Sequence, residues 1–128
     1  MSTHENLPEV IRKFITSYNE KDVDAMMSCL HREAEFENIS NYFAAMNWKG
    51  HDSIRALAES SAAAFASRKQ TVLMAVVEGD KVALQVEFAG VPLVDLPNGM
   101  KAGEATILRG ASFFTLKDDK IISLSDMS

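Results

Sequence analysis

Asp126 is the side chain of this sequence best placed to do chemistry. It stands in the closing run KIISLSDM, where Ile122 and Leu124 alternate with it. As a strand, that run puts the three on one face. A carboxylate on an apolar face is costly to bury unless it is hydrogen-bonded or its pKa rises. A raised pKa is what a general acid or base working near neutral pH requires. The competing reading is a carboxylate close to a frayed C-terminus that simply faces water.

Other chemistries find little support. No phosphate-cradling glycine loop, dinucleotide-binding G-x-G-x-x-G, nucleophile elbow or H-E-x-x-H pair is present. His4, His31 and His51 lack paired ligand spacing, and His31 with Glu35 makes only two potential ligands, so neither a metal nor a cofactor is expected. Cys29 is the one cysteine and cannot form an internal disulfide. It reads as a buried, inert thiol in a reducing, cytoplasmic setting.

The 128 residues make one domain, 1–128, large enough to bury roughly two-thirds of its unfolded surface. The 47% apolar and 24% charged residues are ordinary globular values and exclude collagen, coiled coil and disorder. A net charge of −5 with no basic run argues against a nucleic-acid partner. No apolar run approaches the ~20 residues of a membrane span, and the start lacks a signal segment.

Three helices come first. Leu7–Asn19 carries Val10, Phe14 and Tyr18 at four-residue spacing with Ile11 and Ile15 beside them, capped by Asn6 and with Pro8 in the first turn. Asp22 caps a shorter helix to about Leu30. Gly50 and Asp52 open a third, whose buried side runs through Ile54, Leu57, Ala58, Ser61, Ala62 and Phe65. Between them, 34–39 alternates weakly as a short strand, and 41–49 reads as a loop or partial helix.

After Arg68 the period changes to two. Strands are expected over 70–78, 81–89, 104–116 and 120–127, with a tight turn at Gly79-Asp80, a loop over 92–103 and a bulge or bend at Gly110. Helices first and hairpin-linked strands afterwards define an α+β domain. A curled, mostly antiparallel sheet closed on one side by three helices leaves a cone-shaped pocket.

The strings VIRKFITSYNEKDVDAMMSCL, FENIS with WKGHDSIRAL, and ILRGASFFTLKDDKIISLSDM cover nearly the whole chain. Together they resemble the SnoaL-like branch of the nuclear-transport-factor-2-like (NTF2-like) superfamily. Polyketide cyclases belong to that branch, and steroid delta-isomerases and limonene-epoxide hydrolases are relatives. The resemblance implies a cone that holds a small, largely apolar molecule, and a homodimer paired through the sheet.

Carried over residue by residue, the resemblance excludes steroid-isomerase chemistry. The oxyanion-donating tyrosine falls on Phe14, the proton-shuttling aspartate on Asn38, and the second, acidic oxyanion donor near Ala111 or Ser112. The base and donors that dienolate chemistry needs are gone. The epoxide hydrolases and cyclases share an aspartate at Asp126. Asn38 matches an asparagine that holds the attacking water, while Phe36 replaces its tyrosine partner. A third-strand arginine and aspartate have their nearest equivalents in Gln85 and Glu87. Glu87 serves as an acid only if its own face lines the pocket; if Val82, Leu84 and Val86 face inward, it points away.

The resulting catalytic candidates are Asp126, Asn38 and Glu87, with Asn38 an anchor for a ligand carbonyl or water. Phe14, Tyr18, Phe36, Trp48, Val86, Phe88 and Leu124 are candidate ligand contacts, Tyr42 and Phe43 shape the mouth, and Met26, Met27 and Met74 offer an adaptable lining. The expected function is cofactor-free acid/base chemistry of cyclase, isomerase or hydrolase type on a small apolar molecule. The alternative is a non-catalytic module for ligand binding or association.

Overall fold

The computed structural model describes residues 7–40 and 43–127. In chain order these form α1 (Glu9–Asn19), α2 (Val23–Ser28), β1 (Leu30–Ser40), β2 (Phe43–Lys49), α3 (Gly50–Ala63), β3 (Phe65–Glu78), β4 (Lys81–Pro92), β5 (Thr106–Lys117) and β6 (Lys120–Met127). Asn6 and Tyr42 lie outside the described residues. Pro8 holds the N-cap position of α1. Asp22 caps α2 by accepting the Ala25 N–H at 3.1 Å.

The six strands form one sheet in the order β2-β1-β6-β5-β4-β3. All neighbours are antiparallel except β1 and β6, which run parallel. Strand β6 is therefore an interior strand. Met127 is paired to Ile39 on one side and Ala111 on the other, so Asp126 belongs to a clamped strand, not a frayed end.

Register shifts interrupt β1 between Leu30 and Glu35, β3 between Val72 and Met74, and β5 between Thr115 and Leu116. Such irregularities bend strands and increase their twist, and the sheet curls without closing. Helix α1 places Ile11, Phe14 and Ile15 against it, and Ile11 and Ile121 are fully buried at the centre. The end of α1 is fastened to β3 by both amide atoms of Asn19, which bond the backbone of Gln70 at 2.7 and 3.0 Å. The result is the NTF2-like cone. No helix among the described residues is long and apolar enough to cross a membrane.

Three local expectations fail. The segment 43–49 is a strand, because pairing with β1 and the stacking of Trp48 on Phe36 supply what its irregular pattern does not advertise. Phe65 does not continue α3 but opens β3, where its ring meets Phe88 edge-on at 5.3 Å. Gly110 makes no bulge: it sits opposite Val86 in unbroken register.

Candidate functional site

Between the curled sheet and the helices lies a cavity of about 220 Å³. Its sheet wall is built in rows. Asn38 on β1, Asp126 on β6 and Ser112 on β5 lie opposite one another and share a face. Phe36, Leu124 and Phe114 form the next row. Trp48 stacks on Phe36 with ring centroids 5.4 Å apart, and Phe14 from α1 meets Phe114 edge-on at 6.3 Å. Met26, Leu30, Ile54, Leu57 and Ala58 complete a wall that is mostly apolar.

Against that lining, Asp126 is the reactive group. Ser112 Oγ donates a 2.6 Å hydrogen bond to its Oδ1. Burial pushes its carboxyl up to about 6, and the Ser112 hydrogen bond opposes the rise. Desolvation disfavours the charged form, whereas a donor to the carboxylate favours it. Here desolvation wins. A carboxyl with that pKa takes up and releases a proton close to neutral pH.

Tyr18 and Arg68 form a second polar element of the wall. The guanidinium of Arg68 lies over the Tyr18 ring, 3.8 Å from its centroid. Arg68 Nε donates to the Tyr18 carbonyl at 3.2 Å and Nη1 to Ser61 Oγ at 3.0 Å. Burial pushes the Tyr18 phenol above its usual value; the Arg68 charge opposes this and the Asp126 charge adds to it. Tyr18 is therefore a neutral phenol sensing both charged groups.

Of the residues singled out from the sequence, Phe14, Tyr18, Phe36, Asn38, Trp48, Leu124 and Asp126 line this cavity. Asn38 is exposed, and so stands at the open side. Glu87, Val86 and Phe88 are not among the lining residues. Val82, Leu84 and Val86 are buried on the inner face of β4, so alternation turns Glu87 outward, opposite Arg109, to which it forms a 3.6 Å ion pair. Val86 packs in the core and Phe88 against Phe65. Met74 is 55% exposed, whereas Met26 does reach the cavity. Cys29 is buried outside the lining, its thiol pushed up by burial.

Arg68, Gln70, Ser61 and Ser112 join the wall without having been singled out as site residues. Arg68 and Gln70 share parity with buried Val72, which signals a strand reaching back before residue 70. The bulge at 72–74 breaks that parity and hides the signal.

The model of the SnoaL-like domain matches residues 11–124. The chain belongs to this family. Among solved structures, the SnoaL-like chain is similar to a protein from Sinorhizobium meliloti described as a polyketide cyclase, with 18% identity, 98% of this chain and 99% of the other covered, and a TM-score of 0.76. TsrD from Streptomyces laurentii shares 23% identity over 92% and 84% of the two chains, with a TM-score of 0.73. An LEH-like epoxide hydrolase from M. tuberculosis shares 14% over 94% and 80%, with a TM-score of 0.72. No curated protein matches the SnoaL-like chain.

Proposed function

We propose that this SnoaL-like domain binds a small, largely apolar molecule and moves a proton on it through Asp126, without a cofactor. The observation that carries this reading is a cavity carboxyl whose pKa is raised to about 6 in a mostly apolar wall. As a carboxylate, Asp126 takes a proton from the carbon beside a ketone, or from a water that attacks an oxirane carbon. As the acid, it returns that proton to product. Asn38, opposite Asp126 on the neighbouring strand, orients the carbonyl or water. The cyclase and epoxide-hydrolase descriptions of structural neighbours agree with this class.

The test is α-hydrogen exchange of a panel of cyclic ketones in D2O, together with hydrolysis of cyclic epoxides. Turnover above background that disappears in Asp126→Asn is the expected result. Turnover that survives the substitution removes Asp126 from the mechanism. No turnover on any panel member favours the non-catalytic alternative. The Ser112 hydroxyl and the charge coupling to Tyr18 weigh against that alternative, since they give Asp126 polar partners inside the cavity.

We also propose that the domain pairs with a second copy through the outer face of the sheet. Val76, Ala83 and Phe113 lie in one row across β3, β4 and β5, and Met127 extends the apolar area onto β6 beside Ala111. Val76, Phe113 and Met127 are 57%, 44% and 43% exposed. Contiguous apolar surface of this kind marks an interaction site.

A further inference from the structure

Arg68 is a buried cation that no acid among the described residues neutralises. It is only 5% exposed, and among the described residues no carboxylate lies within ion-pair distance of it. Its Nε and Nη1 are committed to the Tyr18 carbonyl and Ser61 Oγ, while Nη2 is buried with no hydrogen-bond partner among the described residues. Removing a charge from water is expensive unless it is paired, and each buried donor left unmade adds to the expense. The stacked Tyr18 ring offsets part of this. Nη2 nonetheless has no acceptor in hydrogen-bonding geometry among the described residues.

The position of this cation gives it meaning. Arg68 contributes to the cavity wall from β3, an edge strand at the opposite end of the sheet order from β2, whereas Asp126 acts from β6. The curl of the sheet brings both to one cavity. Asp126 does not neutralise Arg68: no ion pair joins them, and besides its own desolvation the guanidinium is influenced by the Tyr18 phenol and not by Asp126. The cavity thus has two poles: a fixed positive one at Arg68 and Ser61, and a proton-exchanging one at Asp126 and Asn38.

We propose that the ligand of this cavity carries a carboxylate that pairs with the Arg68 guanidinium, leaving its carbonyl or oxirane end at Asp126. An arginine fork matches a carboxylate in shape and charge. The Nη2 donor takes one carboxylate oxygen, and the anion supplies the charge that the protein withholds. At about 220 Å³, the cavity is below the roughly 300–1,000 Å³ of pockets for drug-sized ligands, which selects a compact keto acid or epoxy acid. This identification of the substrate class rests on the pocket reading above.

The experiment compares 4-oxocyclohexanecarboxylate with its methyl ester, by calorimetry and by NMR of the arginine side-chain resonances, at equal salt. Wild-type protein is expected to bind the acid at least tenfold more tightly than the ester, with the Arg68 guanidinium resonances shifting only with the acid. Arg68→Gln is expected to remove that preference, and Arg68→Lys to restore it in part. Where Arg68→Gln does not fold, the resonance shift in wild-type protein decides. Equal affinity for acid and ester, a preference that persists in Arg68→Gln, or failure to bind either probe at millimolar concentration overturns the proposal. Asp126→Asn keeps the acid preference while losing turnover, so the carboxylate subsite and the proton-transfer reading fail separately.

Discussion

Ser112 and Asp126 lie directly opposite each other on β5 and β6, and the serine hydroxyl donates to Asp126 Oδ1 at 2.6 Å. The contact holds the carboxyl on the inner face of an interior strand. It also tunes the group, because the hydroxyl stabilises the anion that the apolar wall disfavours. The balance places the carboxyl at about 6, between a solvated aspartate and a permanently neutral acid. A core of apolar rows thus keeps a single proton within reach of a small ligand.

Replacing Asp126 with asparagine stabilises the protein, in a pH-dependent way. The folded carboxyl titrates at about 6 and the unfolded one at 3.8, so the folded state binds the extra proton between those values. Stability falls as pH rises through that window, and the deficit persists above it. An amide never ionises. Denaturant unfolding near pH 8 is expected to show Asp126→Asn more stable by up to about 3 kcal/mol, with the gain absent below pH 4. Equal effects at both pH values contradict the assignment.

Ser112→Ala moves the Asp126 titration upward from about 6, because the donor that lowers it is removed. A modest loss of about 1 kcal/mol in stability at low pH accompanies the lost hydrogen bond. A carboxyl titration followed by NMR checks the direction, and a downward shift contradicts it.

Glu87→Gln leaves ligand binding and turnover unchanged, since Glu87 is turned outward toward Arg109. The ion pair is partly exposed, so unfolding free energy changes by no more than about 0.5 kcal/mol. Loss of turnover in this variant would place a second acid in the mechanism.

Phe113→Glu puts a charge in the centre of the outer apolar face. Light scattering at micromolar concentration is expected to give twice the chain mass for the wild type and the single-chain mass for the variant. A monomeric wild type, or a dimeric Phe113→Glu, contradicts association through this face.

The helices and the hairpins were legible in the sequence because each follows from a period: 3.6 around Phe14 and Tyr18, two along β4. The inward aim of Asp126 needed the family resemblance beside the alternation, and a register shift in β6 puts Ile121, not Ile122, on the buried face with Leu124. Interruptions of period were not legible. The bulge between Val72 and Met74 moved Met74 to the outer face and concealed that Arg68 and Gln70 continue the inner one. Strand β2 depends on partners distant in sequence, Trp48 on Phe36, which no local pattern encodes. Glu87 hinged on one register choice, and the burial of Val82, Leu84 and Val86 decides it. The clamped state of Asp126 was hidden for the same kind of reason. Only the sheet order shows that the last strand is an interior one.

The most direct measurement is a pH titration of the Asp126 side-chain carboxyl carbon in the ligand-free protein, with Asp126→Asn identifying the resonance. A midpoint at about 6 is predicted, with the neutral acid persisting well above the pH at which exposed aspartates ionise. A midpoint near the ordinary 3.8 would show a solvated, fully charged carboxylate and would contradict the account.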